Sequence, residues 1–249
     1  MITVFRKIRQ KLLHENRFTR YLIYALGEII LVVIGILIAL QINNMNSQRI
    51  DREKEQAYLL ELKANLIQDS LSLTEVKNFN KIKKKSIYSL LQIFNDTLTN
   101  YDRIQIFAQN TQVFTDYRVF EPISTTYSNM LSAESIAIIR DNDLKKLLSE
   151  YYGHDYKHGV QERIIMMNRY VVDEFFPEFT TREMVQRSLK LSTELPEIKD
   201  LEIHKNQRLF SNLHGILYIL DYQNNMLSKT MNLNQQLIKN INESLNDKN

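Results

Sequence analysis

The sequence predicts an all-α protein: a single N-terminal transmembrane helix followed by an extracytoplasmic antiparallel helical bundle. Three observations carry that expectation. One 22-residue apolar run stands near the N-terminus, apolar residues beyond it recur at three- and four-residue steps, and helix-breaking residues are scarce. Of 249 residues only 5 are Gly and 3 are Pro, and neither type occurs between Gly35 and Pro122. Sandwiches, barrels and Gly-rich phosphate loops depend on those residues and are not expected. With 44% hydrophobic and 24% charged residues, the chain has the composition of a folded protein with a core.

Residues 1–20 form a basic segment, expected on the cytoplasmic side. Arg6, Lys7, Arg9, Lys11, Arg17 and Arg20 stand against Glu15 alone, a balance of +5. Phe5, Ile8 and Leu12 recur at helical spacing with the basic residues on the other faces. Two readings stay open: an amphipathic helix lying on the anionic inner leaflet, or charges that only fix topology. The rest of the chain balances at −2, too neutral for a nucleic-acid partner.

Residues 21–42 are the expected membrane span, with Glu28 as their one charge. At helical rise they reach about 33 Å, enough for a hydrocarbon core of roughly 30 Å. From Ile29 to Leu40 no polar side chain interrupts the run. A cleaved signal peptide would be shorter and end at a small-x-small site, so an uncleaved signal anchor fits better. Six basic residues precede the span, whereas Arg49, Arg52 and Lys54 beyond it are interleaved with Asp51, Glu53 and Glu55. The positive-inside rule then places the N-terminus in the cytoplasm of a bacterial cell and the body in the periplasm. The absence of Cys suits that compartment and removes disulfides, thiolate zinc sites, cysteine nucleophiles and lipoprotein attachment.

Residues 43–249 read as the helical-bundle domain. Leu59, Leu62, Leu66, Leu73 and Val76 make a seam in which Asp69 fills one position. Ser72-Leu73-Thr74-Glu75 has the capping-box form, so a break or a new helix is expected there. Ile82, Ile87, Leu90, Leu91 and Phe94 continue to a polar stretch at residues 95–100. Residues 101–142 suggest several short helices around Glu121-Pro122. One helix is expected from about Asp143 to Phe176, stopped by Pro177, and a last one from about Asn206 to Leu245.

The span and its exit, Gly27-Glu28-Ile29 through Gly35-Ile36-Leu37-Ile38-Ala39-Leu40-Gln41-Ile42-Asn43-Asn44, resemble a bacterial family of single-pass membrane proteins of unknown function. Thr126-Tyr127-Ser128-Asn129-Met130-Leu131-Ser132 and the residues around Tyr151-Tyr152 extend the resemblance over most of residues 1–155. Met45 and Ser47 depart from it, standing where the family usually carries Trp and Glu. The resemblance implies the topology and carries no reaction.

Glu28 is the sharpest position, because an ionisable group in a span normally faces protein or water. Gly35 and Ala39 lie at i+7 and i+11 from it and form a small-xxx-small pair, so the three share a face along which another helix can approach. Hydration of Glu28 from the near side of the membrane and a proton or ion relay are the alternatives. His154 and His158, at i and i+4 with Glu150 and Glu162 on the same face, are a weak metal candidate beside the simpler reading of an exposed polar surface. Tyr151-Tyr152 and Phe175-Phe176 read as core. No nucleophile elbow, P-loop or dinucleotide fingerprint is present, and no catalysis and no cofactor are expected. The expected partners are the lipid bilayer and either a second copy or another membrane protein. A scaffold role is therefore expected, with a ligand-sensing domain as its rival.

Overall fold

The computed structural model describes residues 18–197 and 202–246, with the side chains of residues 18–21 and 187 outside the description. Arg6, Lys7, Arg9, Lys11 and Arg17 therefore lie outside the described residues, as does the Arg20 side chain. The protein is all-helical, with no strand among the described residues.

Helix α1 runs over 74 residues, Phe18–Leu91. It is followed by α2 (Asn100–Thr115), α3 (Thr125–Ser132), α4 (Asn142–Gly153), α5 (Val160–Tyr170), α6 (Arg182–Leu189) and α7 (Gln207–Asn246). Several starts are chemically marked. The side chain of Thr99 accepts from the Asp102 N–H, Asp141 from Asp143 and Leu144, Thr181 from Met184, and Asn206 from Leu209. These oxygens satisfy N–H groups that have no partner within the first turn.

The chain divides into two compact units, Met1–Ala57 and Tyr58–Asn249. Within the first, the apolar stretch of α1 reaches a mean hydropathy of 2.7 and none of it is buried. It is the one helix among the described residues long and apolar enough to cross a membrane.

The second unit holds the core. Two helices present seams at alternating three- and four-residue steps: on α1 residues 59, 62, 66, 69, 73, 76, 80, 83, 87 and 90, and on α7 residues 209, 213, 216, 220, 223, 227, 230, 234, 237 and 241 are all buried. Asn234 Nδ2 donates to the Leu66 carbonyl, Lys77 to Ser228 and Lys84 to Asp221. The partners fall along α7 as they rise along α1, so the two helices run antiparallel. Two apolar clusters result. One gathers Ile87, Phe107, Phe114, Phe175 and Leu213, and the other Leu62, Leu73, Met130, Leu148 and Leu237. Between them the seams carry Asn80, Lys83 and Gln223, a polar layer in the middle of the core.

Two expectations are corrected. α1 passes through Ser72–Glu75 without a break. Leu73 and Val76 are buried there, so continuity of the seam outweighs a capping signal, and Thr74 donates back to the Ser70 carbonyl as a mid-helix threonine does. The helix expected from Asp143 to Phe176 is instead two helices, with a non-helical link at residues 154–159. The Asp155 carboxylate accepts the N–H groups of Lys157 and His158, offering the backbone an alternative to the helix. Gly159 then adopts φ +73°, which side-chain-bearing residues avoid. Beyond α5, Val171–Phe175 widens into one π-type turn, closed by Phe176 N–H on the Val171 carbonyl, and Pro177 opens a short 3-10 turn.

Candidate functional site

The apolar stretch of α1 presents an open face. Glu28, Gly35 and Ala39 are exposed on the first unit, and a Cβ placed on Gly35 would meet nothing within 4 Å. Gly27 is equally open. Small residues leave the backbone accessible, which is what close helix approach requires.

The second feature was not found from the sequence. Residues 116–124 have no helical structure and run largely along the surface, inserting Phe120 into the core at 1% exposure. No neighbouring strand serves their backbone; side chains do. Lys83 Nζ donates to the Asp116 carbonyl, and at 2.6 Å to Asn168 Oδ1. Gln223 Nε2 donates to the Arg118 carbonyl at 3.0 Å. Gln161 clasps Phe120 from both sides, accepting its N–H at 2.7 Å and donating to its carbonyl at 2.8 Å. Asp69 Oδ1 accepts the Ile123 N–H at 2.9 Å. Asn80 Nδ2 donates to Gln223 Oε1 at 2.7 Å and holds that amide in orientation. Lys83, Gln223, Gln161 and Asp69 thus answer backbone groups that would otherwise be unpaired.

Electrostatics follow from this burial. Desolvation pulls the Lys83 ammonium down to about 7, opposed by the nearby Asp116 charge. Desolvation raises the Asp69 carboxyl, while hydrogen bonds from Ile123 N–H and Tyr151 O–H pull the other way. Tyr151 donates to Asp69 Oδ2 at 3.0 Å, and its phenol is pushed upward by burial first and by the Asp69 charge second. Tyr156 rises to about 12, again chiefly through desolvation. Perturbed groups often mark active sites, but Lys83 and Asp69 are engaged in holding the extended segment and Tyr151 in bonding Asp69. The signal was present in the sequence: positions 69, 80, 83, 223 and 234 are polar residues at core steps of the two seams.

A third feature is a groove of about 740 Å³ between α2 and α6. Tyr101, Ile104 and Ala108 form one wall, Met184, Val185 and Leu189 the other, with Phe176 between them and Gln105, Thr180, Glu183 and Ser188 as the polar lining. That volume lies within the range of small-molecule sites.

The histidines do not form the face that their spacing suggested. His154 is extended at the end of α4, and His158 sits in the link, where its ring shares a 2.7 Å hydrogen bond with Asp155. Both lie off the helix that an i, i+4 metal pair requires, and no group of three potential ligands is gathered among the described residues. That hydrogen bond raises the His158 imidazole, and the contacts from His158, its backbone N–H first, lower the Asp155 carboxyl. Of the aromatic pairs, Tyr151 and Phe175 are buried core, while Tyr152 and Phe176 are half-buried.

Residues 28–172, more than half of the chain, match the model of a family of unknown function, DUF6090. The chain belongs to that family. No curated protein and no solved structure matches it.

Proposed function

We propose that the protein is a non-enzymatic scaffold of the bacterial inner membrane, anchored by a single span. In this reading residues 1–20 lie in the cytoplasm and residues 43–249 form an antiparallel helical bundle in the periplasm. Association with a second copy or another membrane protein proceeds through the Glu28–Gly35–Ala39 face. One observation carries the reading: a helical stretch of mean hydropathy 2.7 has no part of its surface buried by the rest of the chain. Left in water, that surface would drive aggregation; a bilayer covers it. The absence of a catalytic role is supported by the polar core, whose perturbed groups are occupied in satisfying residues 116–124.

Alkaline carbonate extraction of membranes tests the anchor: the protein should remain in the pellet, and release into the wash would defeat the reading. A reporter active only in the periplasm, fused after Asn249, should be active.

The groove between α2 and α6 supports a second reading, a ligand-sensing domain that acts with a separate output protein. A fluorescent apolar probe should bind the wild type and be displaced in Val185→Trp, which fills the groove. Equal binding by the two proteins would remove the groove as a ligand site.

A further inference from the structure

Helix α1 is apolar on two opposite faces. Leu62, Leu66, Leu73 and Val76 are buried against the core. About half a turn away, at 100° per residue, Leu60, Ala64, Ile67 and Leu71 form a second stripe at steps of four, three and four. This stripe is open: Leu60 is 57% exposed, Ile67 46% and Leu71 61%. A helix that showed this face only to water would carry polar residues along it. The spacing is that of a two-stranded seam, with Leu60, Ile67 and Thr74 in one register, Ala64, Leu71 and Asn78 in the other.

The flanks identify the occupant. One side of the stripe carries Glu61, Gln68 and Glu75, all exposed. The other carries Lys63, Ser70 and Lys77, of which Lys77 also donates to Ser228 Oγ. In a parallel pair of identical helices each flank faces the other flank of its partner, so Lys63 meets Gln68 and Ser70 meets Glu75 and no like charges oppose each other. In an antiparallel pair like faces like, with Lys63 across from Lys77 and Glu61 across from Glu75. We propose that the outer face of α1, from Leu60 to Asn78, is a parallel homodimer contact with a second copy of this chain. The stripe is smaller than the roughly 800 Å² per partner of a standard stable interface. Its occupancy therefore rests on the anchoring reading above, since a shared membrane sets both copies in one orientation and raises their effective concentration.

The chain contains no Cys, so single cysteines report the contact directly. Leu60→Cys and Ile67→Cys are reconstituted as full chains in phospholipid vesicles and oxidised with copper phenanthroline. The reference is Lys146→Cys, at a side chain that is 79% exposed on α4. Disulfide-linked dimers should form at positions 60 and 67 at least roughly tenfold faster than at 146, reflecting pairing of like residues in register. Adding Leu71→Glu to Ile67→Cys should remove that excess while the helical circular dichroism stays unchanged. Reference rates at both positions would overturn the contact. Preferential Leu60→Cys to Leu71→Cys heterodimers in a mixture of the two variants would overturn its parallel sense. Carbonate washing of the same vesicles scores the anchor separately: extraction defeats the anchoring reading, whereas crosslinking decides the contact in either case.

Discussion

Lys83 sits at 0% exposure, where its ammonium is held by two neutral oxygens, the Asp116 carbonyl and Asn168 Oδ1. Its folded-state value of about 7 lies below that of an exposed lysine because burial disfavours the charge. The sign follows. Between about 7 and the ordinary lysine value the unfolded chain binds a proton that the folded chain has given up, so stability rises with pH across that window. The slope approaches about 1.4 kcal/mol per pH unit for this one group. Urea unfolding of wild type and Lys83→Met from pH 7 to 10 should show that rise as a difference between the two proteins; parallel curves would contradict it. At pH 7 the Met variant also leaves two oxygens without their donor, at a cost of about 1–3 kcal/mol. Asp69 offers a companion test without titration. Asp69→Leu strands the Ile123 N–H and the Tyr151 O–H together and should cost more than Asp69→Asn, which keeps an acceptor for one of them. Equal urea midpoints for the two variants would show that these bonds do not matter.

Among the elements, the long helices were legible and the connections between them were not. The seams of α1 and α7 repeat at steps that the sequence shows directly, and the same steps mark Asp69 as a seam position, where it is buried. Residues 116–124 gave no such signal, because extended backbone without a partner strand has no periodicity. Its hydrogen bonds come from side chains more than 30 residues away, as in Lys83 to Asp116 and Gln161 to Phe120. The break at 154–159 was hidden for a different reason. Leu144, Leu148 and Tyr151 keep helical spacing before it and Ile164 and Val171 after it, so each side reads as helix, while Asp155 and Gly159 redirect the chain between them. For the same reason the histidine pair shares no helix face, although both residues are exposed as the simpler reading expects: i, i+4 has meaning only where the helix continues. Gly159→Ala tests the link. No atom stands within 4 Å of the added Cβ, so strain at φ +73° is the whole effect, about 1–3 kcal/mol of lost stability. Thermal unfolding that matches wild type would mean the link relaxes into another conformation.

At the scale of the whole molecule, the chain belongs to a family of unknown function and has, among the described residues, one helix long and apolar enough to cross a membrane; the function proposed rests on what covers that helix. Its exposed face offers a polar group, Glu28, and a small-residue step, Gly35 to Ala39, and under the proposed function these act in helix association by different physics. Glu28 supplies hydrogen bonding, for which lipid offers no substitute, so Glu28→Leu should insert at least as well yet weaken assembly by roughly 0.5–2 kcal/mol. Glu28→Gln keeps the shape and a hydrogen-bonding end and should largely preserve it. Gly35 supplies close approach, since no atom lies within 4 Å of a Cβ built there, so Gly35→Leu should weaken assembly through bulk alone. The comparison is made by co-purification in mild detergent at matched membrane levels, with Lys146→Cys, a substitution in α4 of the second unit, as the reference. Loss in Gly35→Leu with retention in Glu28→Leu would assign the contact to packing, and the reverse would assign it to the carboxyl group. Wild-type association in both would mean that this face meets lipid, and the scaffold reading would lose the surface on which it depends.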